Sequence, residues 1–319
     1  MALYSVIIDN SSKIDKLINE TDKSSVLINR FGGEVIGYRI YDKNRKKEIP
    51  LLYRDGLAEK PESGWKNHAT ILFPIVGGIK NNKSYLGDKV ITSRGYHGFA
   101  RHSTFSIVEK NTDNKASLHY RLSANEETKQ FYPFNFQLDL EYQLIGHNLK
   151  VIFSITNTEK NQDIYYCFGW HPGFKTPVID GLGTKEECQI LFKKGIYRKY
   201  HNNEHCRLTG ETSEIKLDGE LKRTEKELEA TIMLEIDDPN NRVCTVYDPI
   251  ANIKIEVDFR EFPHLGLWSE PGYNFICVEP WQGMDDHEEQ ESFDKKMGIV
   301  KLLPKKVDRR SVTVRPFFV

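Results

Sequence analysis

From Phe134 to Leu144 an apolar side chain occupies every second position, at Phe134, Phe136, Leu138, Leu140, Tyr142 and Leu144, with mostly polar residues between. A period of two describes a strand with one face in a core and the other in water. The alternation resumes at Leu149, Val151, Phe153 and Ile155 after the turn residues Gly146-His147-Asn148, which predicts an antiparallel hairpin of two long strands. Shorter runs of strand character fall at 25–29, 35–41, 104–109, 116–122, 164–168, 189–192, 231–236, 243–247, 253–259, 275–278 and 311–317. Turn chemistry separates them at Gly32-Gly33, Gly77-Gly78, Asn81-Asn82, Asp238-Pro239-Asn240-Asn241 and Pro271-Gly272. Helical periodicity is confined to 12–21 and 221–230, and the charged stretch 285–296 reads as a helix or a solvated loop. Many strands without regular intervening helices exclude a βαβ architecture. The fold class is all-β, a large antiparallel sandwich or barrel. With no linker, low-complexity tract or fixed-period repeat, 1–319 reads as a single domain.

Charge narrows the partners. The 45 basic and 46 acidic residues leave a formal net charge of -1, so no global field favours nucleic acid or an anionic membrane. No apolar stretch approaches the roughly 18 to 20 residues that span a bilayer. Cys167, Cys188, Cys206, Cys244 and Cys277 are odd in number and lack a CxxC pair, and the start Met1-Ala2-Leu3-Tyr4-Ser5 has no basic segment followed by an apolar one. These features predict a reduced, cytoplasmic protein whose partner is a small, neutral or locally recognised molecule.

Two histidines stand out, each followed almost at once by glycine and phenylalanine: Tyr96-His97-Gly98-Phe99-Ala100-Arg101 and Trp170-His171-Pro172-Gly173-Phe174. Both read as turns after apolar runs, where a rigid scaffold presents reactive groups. His97 has glycines nearby that let backbone approach a ligand, although a surface turn with an idle histidine explains it as well. His171 ends the run Ile164 to Trp170, and Pro172 should stop the strand there. Its aromatic surroundings favour a neutral imidazole, with a hydrogen-bonded core histidine as the alternative. Glu279 ends the run Phe275-Ile276-Cys277-Val278, with Pro280-Trp281 as a stop. A carboxylate there needs a polar cavity or an exposed edge. Two imidazoles and a carboxylate can make a proton-transfer site. Trp170, Trp268 and Trp281 could form a stacking platform for a sugar face, or simply core. Asp285, Asp286, Glu288 and Glu289 read as a solvated charged face. There is no GxSxG elbow, Walker loop, GxGxxG or zinc-spaced His/Cys cluster, so the sequence requires no metal.

Together, Asn67-His68-Ala69-Thr70-Ile71-Leu72-Phe73-Pro74, His97-Gly98-Phe99-Ala100-Arg101, Trp170-His171-Pro172-Gly173-Phe174 and Val278-Glu279-Pro280-Trp281 resemble the aldose 1-epimerase (galactose mutarotase) family, in particular its LacX-like branch. The resemblance implies a β-supersandwich of large twisted antiparallel sheets with few short helices, a sugar site in an open cleft, and no cofactor. It implies Glu279 as general base, His171 as general acid and His97 as a second histidine that holds the sugar. Arg101, Trp170, Phe174 and Trp281 lie in the matching motifs and are expected to contact substrate. The implied reaction is anomer exchange. An ionised Glu279 takes the proton of the anomeric hydroxyl, and His171 on the opposite side of the ring protonates the ring oxygen. The ring opens, the carbonyl carbon rotates, and reverse transfers close it as the other anomer.

Relatives commonly carry a sugar-contacting arginine at the second position of the Gly77-Gly78 turn; here it is Gly78, with Lys80, Arg94 or Arg101 as substitutes. A further sugar-binding aspartate is expected, with Asp248 and Asp258 as candidates. Three readings follow: a mutarotase of a free hexose such as galactose or glucose, a hexose-6-phosphate 1-epimerase using basic residues among 80, 83, 89, 94 and 101, and a non-catalytic sugar-binding protein. A monomer or homodimer is expected.

Overall fold

The computed structural model describes residues 3–56 and 63–319, so Met1-Ala2 of the opening segment lie outside the described residues. The expected hairpin forms as strands Phe136–Ile145 and Asn148–Asn157, paired antiparallel with Leu140 opposite Phe153. The alternate residues from Phe136 to Leu144 are buried. This hairpin lies inside an eight-stranded sheet. A second sheet has seven strands, in the order Leu208–Leu217, Gly195–Asn202, Ile232–Glu235, His264–Trp268, Phe275–Gln282, Phe168–Lys175 and Ala69–Leu72. The two sheets meet through aromatic side chains: Phe153 of the first lies 5.8 Å from Phe168 of the second, and both rings pack on Phe262. Strands from Tyr4–Ile7 to Lys47–Pro50 form a five-stranded sheet. Among the described residues the α-helices are Glu126–Lys129 and Glu225–Glu229, each started by a capping box. The chain is an all-β protein of large antiparallel sheets.

Several local expectations are corrected. Residues 12–21 contain no helix; Ile14–Asn19 is a strand. Its buried face carries Asp15 and Asn19 beside Leu17, so polar residues conceal the alternation. Asp15 is affordable inside because Arg30 grips both its oxygens at 2.8 Å and the Tyr120 hydroxyl donates at 2.9 Å. Of the run expected to be a solvated face, Asp285 and Asp286 are buried while Glu288 and Glu289 are exposed, and within 285–296 a short 3-10 turn, Phe293–Lys295, is the helical element that forms.

Most consequential, neither proline stops its strand. Phe168–Lys175 runs through Pro172 and Phe275–Gln282 runs through Pro280, so the second His-Gly-Phe segment is not a turn. The ladder between these two strands is instead interrupted. Phe168, Gly169 and Gly173 to Lys175 are in register, but 170–172 are not paired with 278–280. Each proline-bearing stretch is held by its outer neighbour, with Pro172 opposite Ala69 and Pro280 opposite Leu265. A residue without an N–H is tolerated in mid-sheet where the ladder is already open.

Along Phe168–Lys175 the even-numbered Phe168, Trp170 and Phe174 enter the core between the sheets, while Gly169, His171 and Gly173 face the other way. The same parity puts Ile276 and Val278 inward, and Glu279 and Trp281 outward.

Candidate active site

The outward face of the seven-stranded sheet carries a cavity of about 310 Å³, lined by His97, Arg101, His171, Glu279, Trp281 and Asp285 together with Trp65, Tyr96 and Trp268. This volume is at the small end of ligand pockets, which run from about 300 to 1,000 Å³, and suits one sugar ring rather than a chain of them.

Backbone register sets the centre. Gly169 opposite Trp281 and Gly173 opposite Cys277 place His171 directly across from Glu279. His171 Nε2 lies 3.0 Å from Glu279 Oε2, and both side chains are buried. Burial pushes the His171 imidazole down to about 3, with the Arg101 cation adding to the effect. Burial lifts the Glu279 carboxyl well above its ordinary range, opposed by Trp281 and Arg101. Trp281 favours the carboxylate from nearby without a true hydrogen bond, for Glu279 Oε1 and Trp281 Nε1 are both buried and have no hydrogen-bond partner among the described residues. The two shifts point the same way, toward neutral forms of both groups. Burial thus biases His171 and Glu279 toward a neutral pair with one acidic proton between them, across a 3.0 Å contact. The expectation of a simply ionised Glu279 is opposed by its burial, since a carboxylate at 1% exposure is poorly solvated. The acid and base expected on opposite sides of a ring are in contact with each other in this structure.

His97 enters from a loop. It donates its backbone N–H to Gly77 O at 2.8 Å, and Gly77 N–H donates to His97 Nδ1 at 3.2 Å. An amide can only donate, so Nδ1 carries the lone pair and the neutral ring carries its proton on Nε2. Burial, His171, Arg101 and Lys296 all hold the His97 pKa well below 6.5, which keeps the ring neutral. His97 is thus a hydrogen-bond donor toward the cavity. The nearest ligand atoms of His97, His171 and Glu279 lie within 4.8 Å of one another. The fixed tautomer turns an N–H, not a lone pair, toward the place a cation would occupy. His97 adopts φ +71, and Gly98, also at +71, lets the loop close on Phe73, where a Cβ would come within 2.4 Å of the carbonyl oxygen. A non-glycine residue at positive φ is uncommon, and here it aims a functional ring.

Aromatic side chains fix the imidazole. Trp65 stacks on His171 with centroids 5.0 Å apart and planes at 27°, and Trp268 meets its edge at 6.0 Å. Gly173 makes room, because a Cβ there would sit 2.5 Å from the Trp65 ring. Gly266, opposite Glu279, does the same for Trp281, whose ring would be 2.6 Å from a Cβ. Oriented by its hydrogen bonds, the Asn67 side-chain oxygen accepts from Arg101 at 2.8 Å and from Trp65 Nε1 at 3.3 Å, tying the cation to the stacking wall.

Of the residues expected to touch substrate, Arg101 and Trp281 line the cavity, while Trp170 and Phe174 do not. Trp170 is 1% exposed and donates its indole N–H to Ala69 O at 3.1 Å; Phe174 is fully buried. Both belong to the opposite sheet face. Trp65, Tyr96 and Asp285 complete the wall, and Trp65 carried no periodic or motif signal. Asp248 caps the backbone at Val178, Ile250 and Ala251, and Asp258 pairs with Arg260 and Arg315, so neither candidate aspartate is in the site. Lys80 reaches Glu288 O and Arg94 lies over Phe131, both away from the cavity. The space beside Gly78 is filled from another element: Arg207, bound to Ile79 O at 3.1 Å, puts Nη1 3.0 Å from where a Gly78 Cβ would be.

Known proteins resemble this chain in sequence and in fold. The profile of the family described as aldose 1-epimerase matches residues 16–296. Plasmid-encoded protein LacX of Lactococcus lactis subsp. lactis is 28% identical over 267 residues, 78% of this chain and 85% of that protein, and chromosomal LacX gives the same figures. A galactose mutarotase related enzyme from Lactobacillus acidophilus superposes with a TM-score of 0.82 at 23% identity, covering 99% of this chain and 97% of that one. A galactose mutarotase-like protein from Lactobacillus casei ATCC 334 gives 0.79 at 21% identity, covering 98% and 100%. The fold is galactose mutarotase-like, and the chain belongs to the aldose 1-epimerase family.

Proposed function

We propose that the protein is a mutarotase that interconverts the α and β anomers of an unphosphorylated hexose. The observation that carries this reading is the direct contact of His171 Nε2 with Glu279 Oε2 inside an aromatic-walled cavity. The anomeric hydroxyl and the ring oxygen of an aldopyranose share one carbon, so a group that deprotonates the first and a group that protonates the second must be neighbours. Moving the shared proton from Glu279 to His171 converts the resting pair into carboxylate and imidazolium with no change in net charge. Glu279 then takes the hydroxyl proton, His171 protonates the ring oxygen, and the C1–ring oxygen bond breaks to leave the open-chain aldehyde. After rotation about the bond to C1, the reverse transfers close the other face. Each properly placed acid or base is worth about 10² to 10⁴ in rate. The His97 N–H supports the sugar as a donor, Arg101 and Trp281 contact it, and Trp65 and Trp268 supply the apolar wall.

The lining also bears on substrate charge. Arg101 is the one lysine or arginine among the described residues that line the cavity, beside the carboxyl groups of Glu229, Glu279 and Asp285. Lys83 lies over Tyr85 and Lys89 binds Pro133 O, so the basic residues of the phosphate reading are dispersed. A phosphate dianion is poorly served by such a wall. The test is polarimetry of freshly dissolved α-D-galactose and α-D-glucose with the wild-type protein. Acceleration of either beyond the buffer rate supports the proposal; buffer rates for every aldose tried overturn it.

A further inference from the structure

Asp285 lies in a segment whose charges suggest an ordinary surface, yet it is 7% exposed and lines the cavity. Its Oδ1 accepts the Gly78 N–H at 2.7 Å. Its other oxygen makes no hydrogen bond among the described residues, although the side chain borders the same cavity as Glu279. The surroundings are built to admit it. Gly77 has φ +64, and a Cβ there would fall 2.3 Å from Asp285 Oδ1. The adjoining residues clamp the segment to the glycine turn: Asp286 Oδ2 accepts the Lys80 N–H at 2.8 Å, and the buried Lys296 ammonium donates to Gly78 O at 3.0 Å and Asp286 Oδ1 at 2.9 Å. With one oxygen tied to backbone, the second is left to accept a hydrogen bond from a group that enters the cavity.

We propose that Asp285 is a substrate-binding residue, whose free carboxylate oxygen accepts a hydrogen bond from a hydroxyl of the sugar and sets the ring's position over the His171–Glu279 pair. This rests on the sugar-epimerase reading. It supplies the acceptor that neither Asp248 nor Asp258 provides. Burial lifts the Asp285 pKa, opposed by Lys296, the Gly78 amide and Arg207. Lys296 is not among the described residues that line the cavity, and through Gly78 and Asp286 it acts as a positioning residue.

Asp285→Asn separates this role from a structural one. The asparagine keeps an oxygen for the Gly78 N–H but turns an NH₂ donor toward the cavity, whereas a purely structural role needs only that oxygen. For the aldose turned over best by the wild type, we expect KM to rise about 10- to 100-fold, the loss typical of a charged hydrogen bond, with kcat within about threefold. Wild-type KM in Asp285→Asn overturns the proposal. A second measurement compares wild-type and Asp285→Asn protein: quenching of tryptophan fluorescence by galactose and its 2-, 3-, 4- and 6-deoxy derivatives. One derivative should bind at least about tenfold more weakly, and that one should lose nothing further in Asp285→Asn. Equal binding of all derivatives overturns the proposal. If the wild type binds aldoses without exchanging anomers, the epimerase reading fails while the dissociation constants still test Asp285. If it binds none, both fail.

Discussion

At the residue scale the site turns on one proton. Glu279 binds a proton more tightly in the folded chain than in the unfolded one, so folding takes up a proton between its ordinary value of 4.5 and the raised value. Stability falls as pH rises through that window. His171 works in the other direction: its pKa, lowered to about 3, makes stability fall as pH drops below 6.5. Glu279→Gln has no acid proton to lose. Its melting temperature should therefore match the wild type near pH 4.5 and exceed it increasingly toward pH 8, read by calorimetry across that range. A constant offset at all pH values would mean that Glu279 ionises freely. Catalysis carries the complementary signature. Removing the shared proton leaves His171 without one to give, so kcat/KM should fall on the alkaline side with an apparent pKa belonging to the pair rather than to either group.

Residue-scale reading of the sequence singled out His97, Arg101, His171, Glu279 and Trp281, which line one cavity, because each sits in a short motif. It misplaced Trp170 and Phe174 for a reason available in the chain itself. Once His171 faces the cavity, positions one before and three after it on a strand must face away. Assuming a turn at Pro172 hid that parity. Asp285 was missed because its charged neighbours resemble a solvated face, and its burial depends on Gly77, more than two hundred residues earlier.

At the scale of elements, the two central strands explain how an acid and a base come to touch. Pro172 and Pro280 lie where the ladder between the strands is open, and the outer neighbours keep both strands straight. The sequence showed these strands as apolar runs but not their length, since a proline normally ends a central strand. Register is a tertiary property that no local pattern encodes. The long hairpin, by contrast, was legible because its alternation is strict, while Ile14–Asn19 was not, because Asp15 and Asn19 take buried positions. Gly173→Ala tests the stacking wall. A methyl 2.5 Å from Trp65 must push the indole off His171, at a cost of about 1 to 3 kcal/mol in unfolding free energy. We expect lower stability in urea denaturation together with weaker sugar binding; an unchanged KM would show that Trp65 does not hold the site.

For the whole molecule, near-zero net charge and dispersed lysines point to local recognition as the basis for affinity, and among the described residues the cavity wall bears carboxyl groups beside a single arginine. Ligand binding raises stability by RT ln(1 + [L]/Kd), about 2.7 kcal/mol at a hundredfold excess over Kd. Galactose or glucose should therefore raise the melting temperature, and their 6-phosphates at equal concentration should raise it less. A larger shift with a 6-phosphate would contradict the reading of the cavity as a site for neutral sugars.

The most direct test of the account is the rate of anomer exchange catalysed by Glu279→Gln, followed by polarimetry of fresh α-D-galactose or α-D-glucose beside the wild type. The account predicts an active wild type and a folded variant slowed by about 10² to 10⁴ or more. A folded Glu279→Gln protein that exchanges anomers at the wild-type rate would contradict proton transfer through the His171–Glu279 pair.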